Sequence, residues 1–396
     1  MDRKESSNHC LVDCKILVFF VMIILFSYLA VHMKNDYTWP IFQRIVPDKT
    51  TSQQNQSIVA ELNALRNIVQ ERIHSLQDSF NCDDPRQKFL VCRIDWNGGF
   101  GCRMHFLASC LQIALLTNRT LVLDSPLKDW PPEAWNVFFQ PTLNISGCRS
   151  SRLNGFAKSD STSTTMASSI LAQWTDIDSD DRIAHFRMVA SNRVRPKVSD
   201  ISGRLRAVHS EPSAWLYGQY FVYLFRFRPS FEDYINNVAR VINFRSRDNG
   251  PIVGVHVRRT DKIINHEGGF HAIDEYMRHV DQYFNATEKR TDGSSKRRIF
   301  LASDDASAIN ETKARYRNYK VLSLDDDATD IPNGEWAVRG TVPALRMAIL
   351  NTYFLARTDF IVCTFSSNFC RLAYEIMQSL HPDDASGRCK SLDKNY

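Results

Sequence analysis

Hydrophobic residues along this chain fall into three regimes. The first is an uncharged run of eighteen residues, Ile16 to Met33, just long enough to cross a membrane as a helix. The second is a spaced seam at Ile58, Leu62, Leu65, Val69 and Leu76, which follows intervals of four and three with Arg72 interrupting it, the pattern of a helix with one apolar stripe. The third begins at Phe89, where short apolar runs alternate with helix-period stretches. Phe89 to Ile94 is predicted as a strand, Arg103 to Leu116 as a helix and Thr120 to Asp124 as a strand, making one βαβ unit. Lys158 to Ser169 is Ser/Thr-rich and expected to loop out, and Trp215 to Phe227 is an aromatic, helix-period segment read as packing. Near Asn249 the alternation resumes. Ile252, Val253, Val255 and Val257 read as a strand buried on both faces, followed by strands at Arg298 to Ala302 and Phe360 to Thr364 and helices at Ala306 to Tyr316 and Val342 to Ala356. Such alternation predicts an α/β fold with parallel sheets.

The seam follows a polar stretch from Asp48 to Ser57 and spans under three heptads. It serves two readings equally: a short coiled coil that pairs two copies of the chain, or a helix packed on the chain's own globular part. The 396 residues, 43% hydrophobic and 23% charged, can bury substantial cores in two domains or one bilobed unit. A net charge of +5 is mild, and the sequence lacks the basic stripe that would suggest a nucleic-acid partner, so none is expected.

Arg3, Lys4 and Lys15 precede the long apolar run and Lys34 follows it, which predicts a cytosolic tail and a lumenal bulk. No small-x-small cleavage site follows the run, so an uncleaved signal anchor is expected. Eight of the ten cysteines lie beyond it, as do Asn-x-Ser/Thr sites at Asn55, Asn118, Asn144, Asn285 and Asn310, in keeping with an oxidising lumen. No Cys or His spacing matches a zinc site.

Candidate chemistry concentrates where the strand at Ile252 to Val257 ends. In open α/β sheets ligands sit beyond strand carboxyl ends, and here that position holds His256, Arg258, Arg259, Asp261 and Lys262. Guanidinium forks match phosphate oxygens and stay charged at any working pH, so the pair suits a diphosphate; the alternative is a solvated charged turn. A second candidate is the glycine-rich turn Asn97 to Gly101, where backbone N–H groups of Gly98, Gly99 and Gly101 can approach an anion at a helix N-terminus.

These residues resemble a known family, the α-1,6-fucosyltransferases that add core fucose to N-glycans. The shared features are GVHVRRTDK at Gly254 to Lys262, a glutamate at Glu267, Phe270-His271, Ser303-Asp304-Asp305 and CTFSSNFCRLAYEIMQSLHP at Cys363 to Pro382. The resemblance runs from about Cys82 to Lys394.

It implies a two-lobed, GT-B-like glycosyltransferase with a Rossmann-like donor lobe. Residues 1–15 would form a cytosolic tail, 16–33 a transmembrane signal anchor, 34–80 the stem, 81–248 the first α/β lobe and 249–396 the donor-binding lobe. The setting would be the Golgi membrane, single-pass type II, with GDP-fucose as donor and the N-glycan of a glycoprotein as acceptor. No metal or other cofactor is expected, because Arg258 would neutralise the leaving diphosphate. Glu267 would be the general base, with Lys262 orienting it. Donor contacts would come from His256, Arg258, Arg259, Asp261, Gly98, Gly99, Gly101, Asn351, Ser366 and Ser367. Acceptor contacts would come from Asp304, Asp305, Asn368 and Asp393. Ser366 and Ser367 could equally shape their turn, and Ser303 to Asp305 could equally be a helix N-cap. Disulfides are implied for Cys82–Cys148, Cys92–Cys110 and Cys363–Cys370; Cys102 and Cys389 are left over, and their pairing with each other is a guess.

Three departures from the family pattern stand out. Asn351 replaces a guanine-recognising aspartate, one extra residue separates Lys262 from the glutamate so that His266 competes for the expected position, and the family's small β-barrel of the Src-homology type has no counterpart in the sequence ending at Tyr396. A catalytically inactive donor- or glycan-binding protein, or a fucosyltransferase with another acceptor, is the alternative expectation.

Overall fold

Residues 53–78, 81, 83–94, 98–123, 132–140, 183–188, 200–244, 250–288, 297–324 and 341–396 are described in the computed structural model. They begin with helix Gln53–Gln77 (α1) and continue through Phe89–Ile94 (β1), Phe100–Leu116 (α2), Thr120–Leu123 (β2), Pro132–Phe138 (α3) and Ile183–Met188 (β3). Three helices follow, Ser202–Val208 (α4), Pro212–Leu224 (α5) and Pro229–Val241 (α6). The second alternation comprises Ile252–Val257 (β4), Thr260–Ile264 (α7), Ile273–Glu288 (α8), Arg298–Ser303 (β5), Ala306–Arg315 (α9), Lys320–Leu322 (β6), Val342–Leu355 (α10), Phe360–Cys363 (β7), Asn368–Leu380 (α11) and Cys389–Ser391 (β8).

The expected parallel sheets are present. One has the order β2-β1-β3 and the other β6-β5-β4-β7-β8, and every pairing is parallel. All six residues of β4 are buried, as its unbroken apolar run predicts for a central strand. Val253, Val255 and Val257 face Ile273, Met277, Val280 and Phe284 of α8 in one hydrophobic cluster, while α10 packs against β4 and β5. Each such side chain, fully buried, contributes roughly 1.5–3 kcal/mol.

The seam of α1 is already occupied. Leu62, Leu65, Val69 and Ile73 are buried against the chain's own α4 and α5. Polar contacts fix the register: Arg66 Nη2 donates to the Ser379 carbonyl at 2.9 Å, Gln70 Nε2 to the Gln219 carbonyl at 2.9 Å, and the Leu121 amide to Gln77 Oε1 at 3.0 Å. Of the two readings of the seam, packing on the chain's own globular part is the one found. The coiled-coil reading, and a homodimer built on that stripe, loses its apolar face to internal burial.

Helix α11 joins the two sheets' surroundings, packing on α2 and α5 as well as α10. A Cβ at Gly101 would lie 2.7 Å from the Asn368 carbonyl carbon and 2.8 Å from the Phe369 amide, so the N-terminal turns of α2 and α11 touch backbone to backbone. Only glycine permits that approach. Cys92–Cys110 ties β1 to α2, and Cys363–Cys370 closes the turn between β7 and α11. Cys389 forms no disulfide, so the Cys102–Cys389 guess is not met; its sulfur lies with those of Cys363 and Cys370, all within 4.8 Å of one another.

Some expectations fall outside the described residues: the apolar run at 16–33, Cys82, Cys148, Asn97, Asn144 and the loop at 158–169. Among the described residues no helix is long and apolar enough to cross a membrane.

Candidate active site

At the carboxyl end of β4 the chain leaves the sheet into a short helix, and Asp304, just past β5, gathers what emerges. Its Oδ1 accepts from the Arg259 amide at 2.9 Å, and its Oδ2 accepts from Arg258 Nη1 at 2.6 Å and from the Thr260 hydroxyl. The parallel register Val257↔Ser303 explains this meeting, because it brings the two strand ends level. The other arm of Arg258 donates to Asp261. Two carboxylates therefore hold one guanidinium in a single orientation.

Arg259 is held by different partners. Nη1 donates to Asp305 at 3.3 Å, Nη2 donates to the His271 carbonyl at 3.4 Å, and the guanidinium carbon lies 4.7 Å from the Phe270 ring centre. Asp305 is also the N-cap of α9, accepting from the Ser307 amide at 2.9 Å. Desolvation pushes the Asp305 carboxyl up, but hydrogen bonds from Ser307 and the charge of Arg259 more than reverse this and hold it below the ordinary range. Asp304 and Asp305 thus position the arginine pair, and the N-cap reading holds for Asp305.

The extra residue before Glu267 is absorbed by a helix-ending motif. His266 has φ of 55°, its amide donates to the Ile263 carbonyl at 3.1 Å, and the Glu267 amide donates to the Lys262 carbonyl at 2.9 Å. Those two bonds around a left-handed residue are a Schellman turn. It folds Glu267 back over Lys262, whose ammonium donates to the Glu267 carboxylate. Glu267 is about half exposed, at 52%, whereas Lys262 is largely covered. Between His266 and Glu267 as competing candidates, Glu267 is the one that meets Lys262.

The loop carrying Glu267 abuts the turn between β7 and α11, since a Cβ on Gly268 would stand 3.1 Å from Ser366 Oγ. That turn is braced by Asp393, whose Oδ1 accepts from the Phe365 amide at 2.8 Å and whose Oδ2 accepts from the Ser366 amide at 3.2 Å. Burial raises the Asp393 carboxyl, while hydrogen bonds from Ser366 and Ser391 bring it below its usual value. Expected as an acceptor contact, Asp393 here shapes the turn. Asn368 Oδ1 accepts from Arg371, and Ser367 sits buried at the N-cap position of α11 without capping it through its side chain.

His256, buried within β4, stacks on Phe369 with ring centres 5.0 Å apart and planes inclined by 20°. Its Nδ1 is buried with no hydrogen-bond partner among the described residues. Burial and the neighbouring Arg258 charge lower its pKa to about 4, so the ring is neutral at ordinary pH. In the turn before α2, Gly99 is the N-cap, and the Gly98 carbonyl accepts from Arg103 Nε at 2.7 Å. Asn351 lies half-buried on α10, and its side chain makes no hydrogen bond among the described residues.

The structure therefore brings together His256, Arg258, Arg259, Asp261, Lys262, Glu267, Asp304 and Asp305 on one side, with Ser366 and Asp393 against the Glu267 loop and the α2 turn against Asn368. The helix N-termini add partial positive charge where α2 and α11 meet. Unread in the sequence were Phe369 as the stacking partner of His256 and the bracing roles of Asp304 and Asp393.

A parallel α/β scaffold with basic groups at a strand end and two converging helix N-termini defines a class of proteins that bind anionic ligands. The chain belongs to the family described as alpha-(1,6)-fucosyltransferase N- and catalytic domains, whose model matches residues 32–396. It is 35% identical over 343 residues to an alpha-(1,6)-fucosyltransferase of Drosophila melanogaster, covering 85% of this chain and 50% of the relative. To one of Caenorhabditis elegans it is 31% identical over 341 residues, covering 84% and 56%. It spans about half the length of these curated relatives. A solved structure of an Arabidopsis thaliana FUT1 mutant in complex with GDP aligns over 88% of this chain and 81% of that one, at 15% identity and a TM-score of 0.48.

Proposed function

We propose that this chain transfers L-fucose from GDP-β-L-fucose to the 6-hydroxyl of the innermost GlcNAc of N-glycans, with inversion at the anomeric carbon. The observation that carries this reading is the Lys262–Glu267 pair, presented by the Schellman turn beside Arg258 at the end of β4. The acceptor oxygen forms the new bond to the anomeric carbon as the bond to the diphosphate oxygen breaks. Its proton passes to Glu267 and the electron pair leaves with GDP. Arg258, already oriented by Asp261 and Asp304, meets the charge that develops on the diphosphate, and the N-termini of α2 and α11 add to it. The half-buried Phe369 ring, stacked on His256, supplies an aromatic face for the guanine end. These groups supply the required positive charge without a metal ion.

The location proposed with this activity is the Golgi membrane, with residues 1–15 cytosolic, 16–33 as a type II anchor and 34–396 lumenal. The test is to incubate the full chain, solubilised in detergent, with GDP-fucose and an N-glycan bearing terminal GlcNAc, and to map the product by mass spectrometry. One deoxyhexose on the innermost GlcNAc is expected. Fucose elsewhere would identify another acceptor, and GDP binding without transfer would favour the donor-binding alternative, to which Asn351 gives some support as a substitute for a guanine-binding carboxylate.

A further inference from the structure

In sequence, Glu267 lies midway between two large apolar side chains that remain in water: Ile264, 76% exposed, three residues before it, and Phe270, 60% exposed, three residues after it. Single exposed apolar side chains are ordinary and call for no explanation. These two share the short segment that carries the base, and Phe270 is held in place from below. Its ring rests on the Arg259 guanidinium at 4.7 Å, and Arg259 is fixed by Asp305 and by the His271 carbonyl. The aromatic surface is thus ordered before any ligand arrives, which removes much of the entropic cost of binding to it. Arg259 covers one face, and Phe270 follows directly on Gly268-Gly269, of which Gly268 abuts Ser366.

We propose that Phe270, with Ile264 on the other side of Glu267, is the platform on which a pyranose ring of the acceptor lies. The slightly positive C–H groups on one face of the sugar meet the negative face of the aromatic ring, while the sugar's hydroxyls stay at the rim. The ring position then sets which hydroxyl reaches Glu267. Phe270 is in this sense a substrate-contacting residue that determines acceptor placement. The proposal rests on the transferase reading above and adds the acceptor's footing to it.

The test uses the full chain and the variants Phe270→Ala, Phe270→Trp and Ile264→Ser, with acceptor and donor varied separately. For Phe270→Ala the acceptor KM should rise about tenfold, equivalent to ~1.4 kcal/mol, with the donor KM and the Kd for GDP unchanged. Phe270→Trp should restore the acceptor KM. Ile264→Ser, at a site too exposed to threaten folding, should raise it by roughly threefold. An unchanged acceptor KM in Phe270→Ala, or a matching rise in donor KM, would overturn the proposal; the latter would mean that the ring acts only by holding Arg259. If the chain transfers no fucose at all, the platform is read by titrating the N-glycan into Phe270→Trp and following tryptophan fluorescence against the unaltered chain. A saturable change would support the platform while the transferase reading fails, and no change would overturn the platform as well.

Discussion

His266 carries the local geometry of the loop that presents Glu267 in a single dihedral. A non-glycine residue at φ of 55° is strained by roughly 1–2 kcal/mol, part of which glycine returns as extra freedom in the unfolded chain. His266→Gly is therefore expected to stabilise the protein by about 0.5 kcal/mol, seen as a higher denaturant midpoint. His256 sets a pH limit of a different kind. Its pKa is about 4 in the folded chain, against about 6.5 when unfolded, so the unfolded state binds more protons between those values. The associated stability is complete above about pH 6.5 and is lost as pH falls towards 4, amounting to a few kcal/mol. His209, whose pKa burial also lowers, acts in the same sense. Unfolding midpoints measured from pH 7.5 to 4.5 should fall, and His256→Phe should flatten part of the slope. Residue types at the site were legible because Arg258, Lys262 and Glu267 fall within one ten-residue stretch. The bracing by Asp304 and Asp393 was not, because each acts on a segment more than twenty residues away, reached only through sheet register.

Bounded apolar runs were readable, whereas short edge strands and two amphipathic helices were not. The strands at Phe89 and Ile252 appear where the apolar runs predict them, and the helix expected from Arg103 starts at Phe100 because Gly99 provides the N-cap backbone. Three-residue edge strands β6 and β8 carry no periodic pattern, and α6 and α8 were not singled out. The apolar stripe of α1 was visible, but a stripe does not name its partner. Leu65 is fully buried against the chain's own helices, so Leu65→Ala should lower unfolding stability by about 3 kcal/mol without changing the mass seen by light scattering. A fall in mass with unchanged stability would return the coiled coil.

At the scale of the whole molecule, α11 makes one site from two sheets' worth of elements. The backbone contact between Gly101 and Asn368 is the tightest expression of that. Gly101→Ala must force α2 and α11 apart, costing roughly 1–3 kcal/mol and weakening GDP binding by calorimetry. Gly99→Ala, with nothing within 4 Å of the added methyl, should leave stability nearly unchanged. Parallel α/β class followed from alternation alone, whereas the meeting of the two helix N-termini depends on contacts between residues over 260 positions apart. The most direct test of Glu267 as the base is the turnover of Glu267→Gln, measured beside its affinity for GDP. Turnover should fall by about 10²–10⁴ while GDP affinity stays within about twofold. A variant that retains transfer within about tenfold of the unaltered chain would contradict the role given to Glu267 and to the turn that presents it.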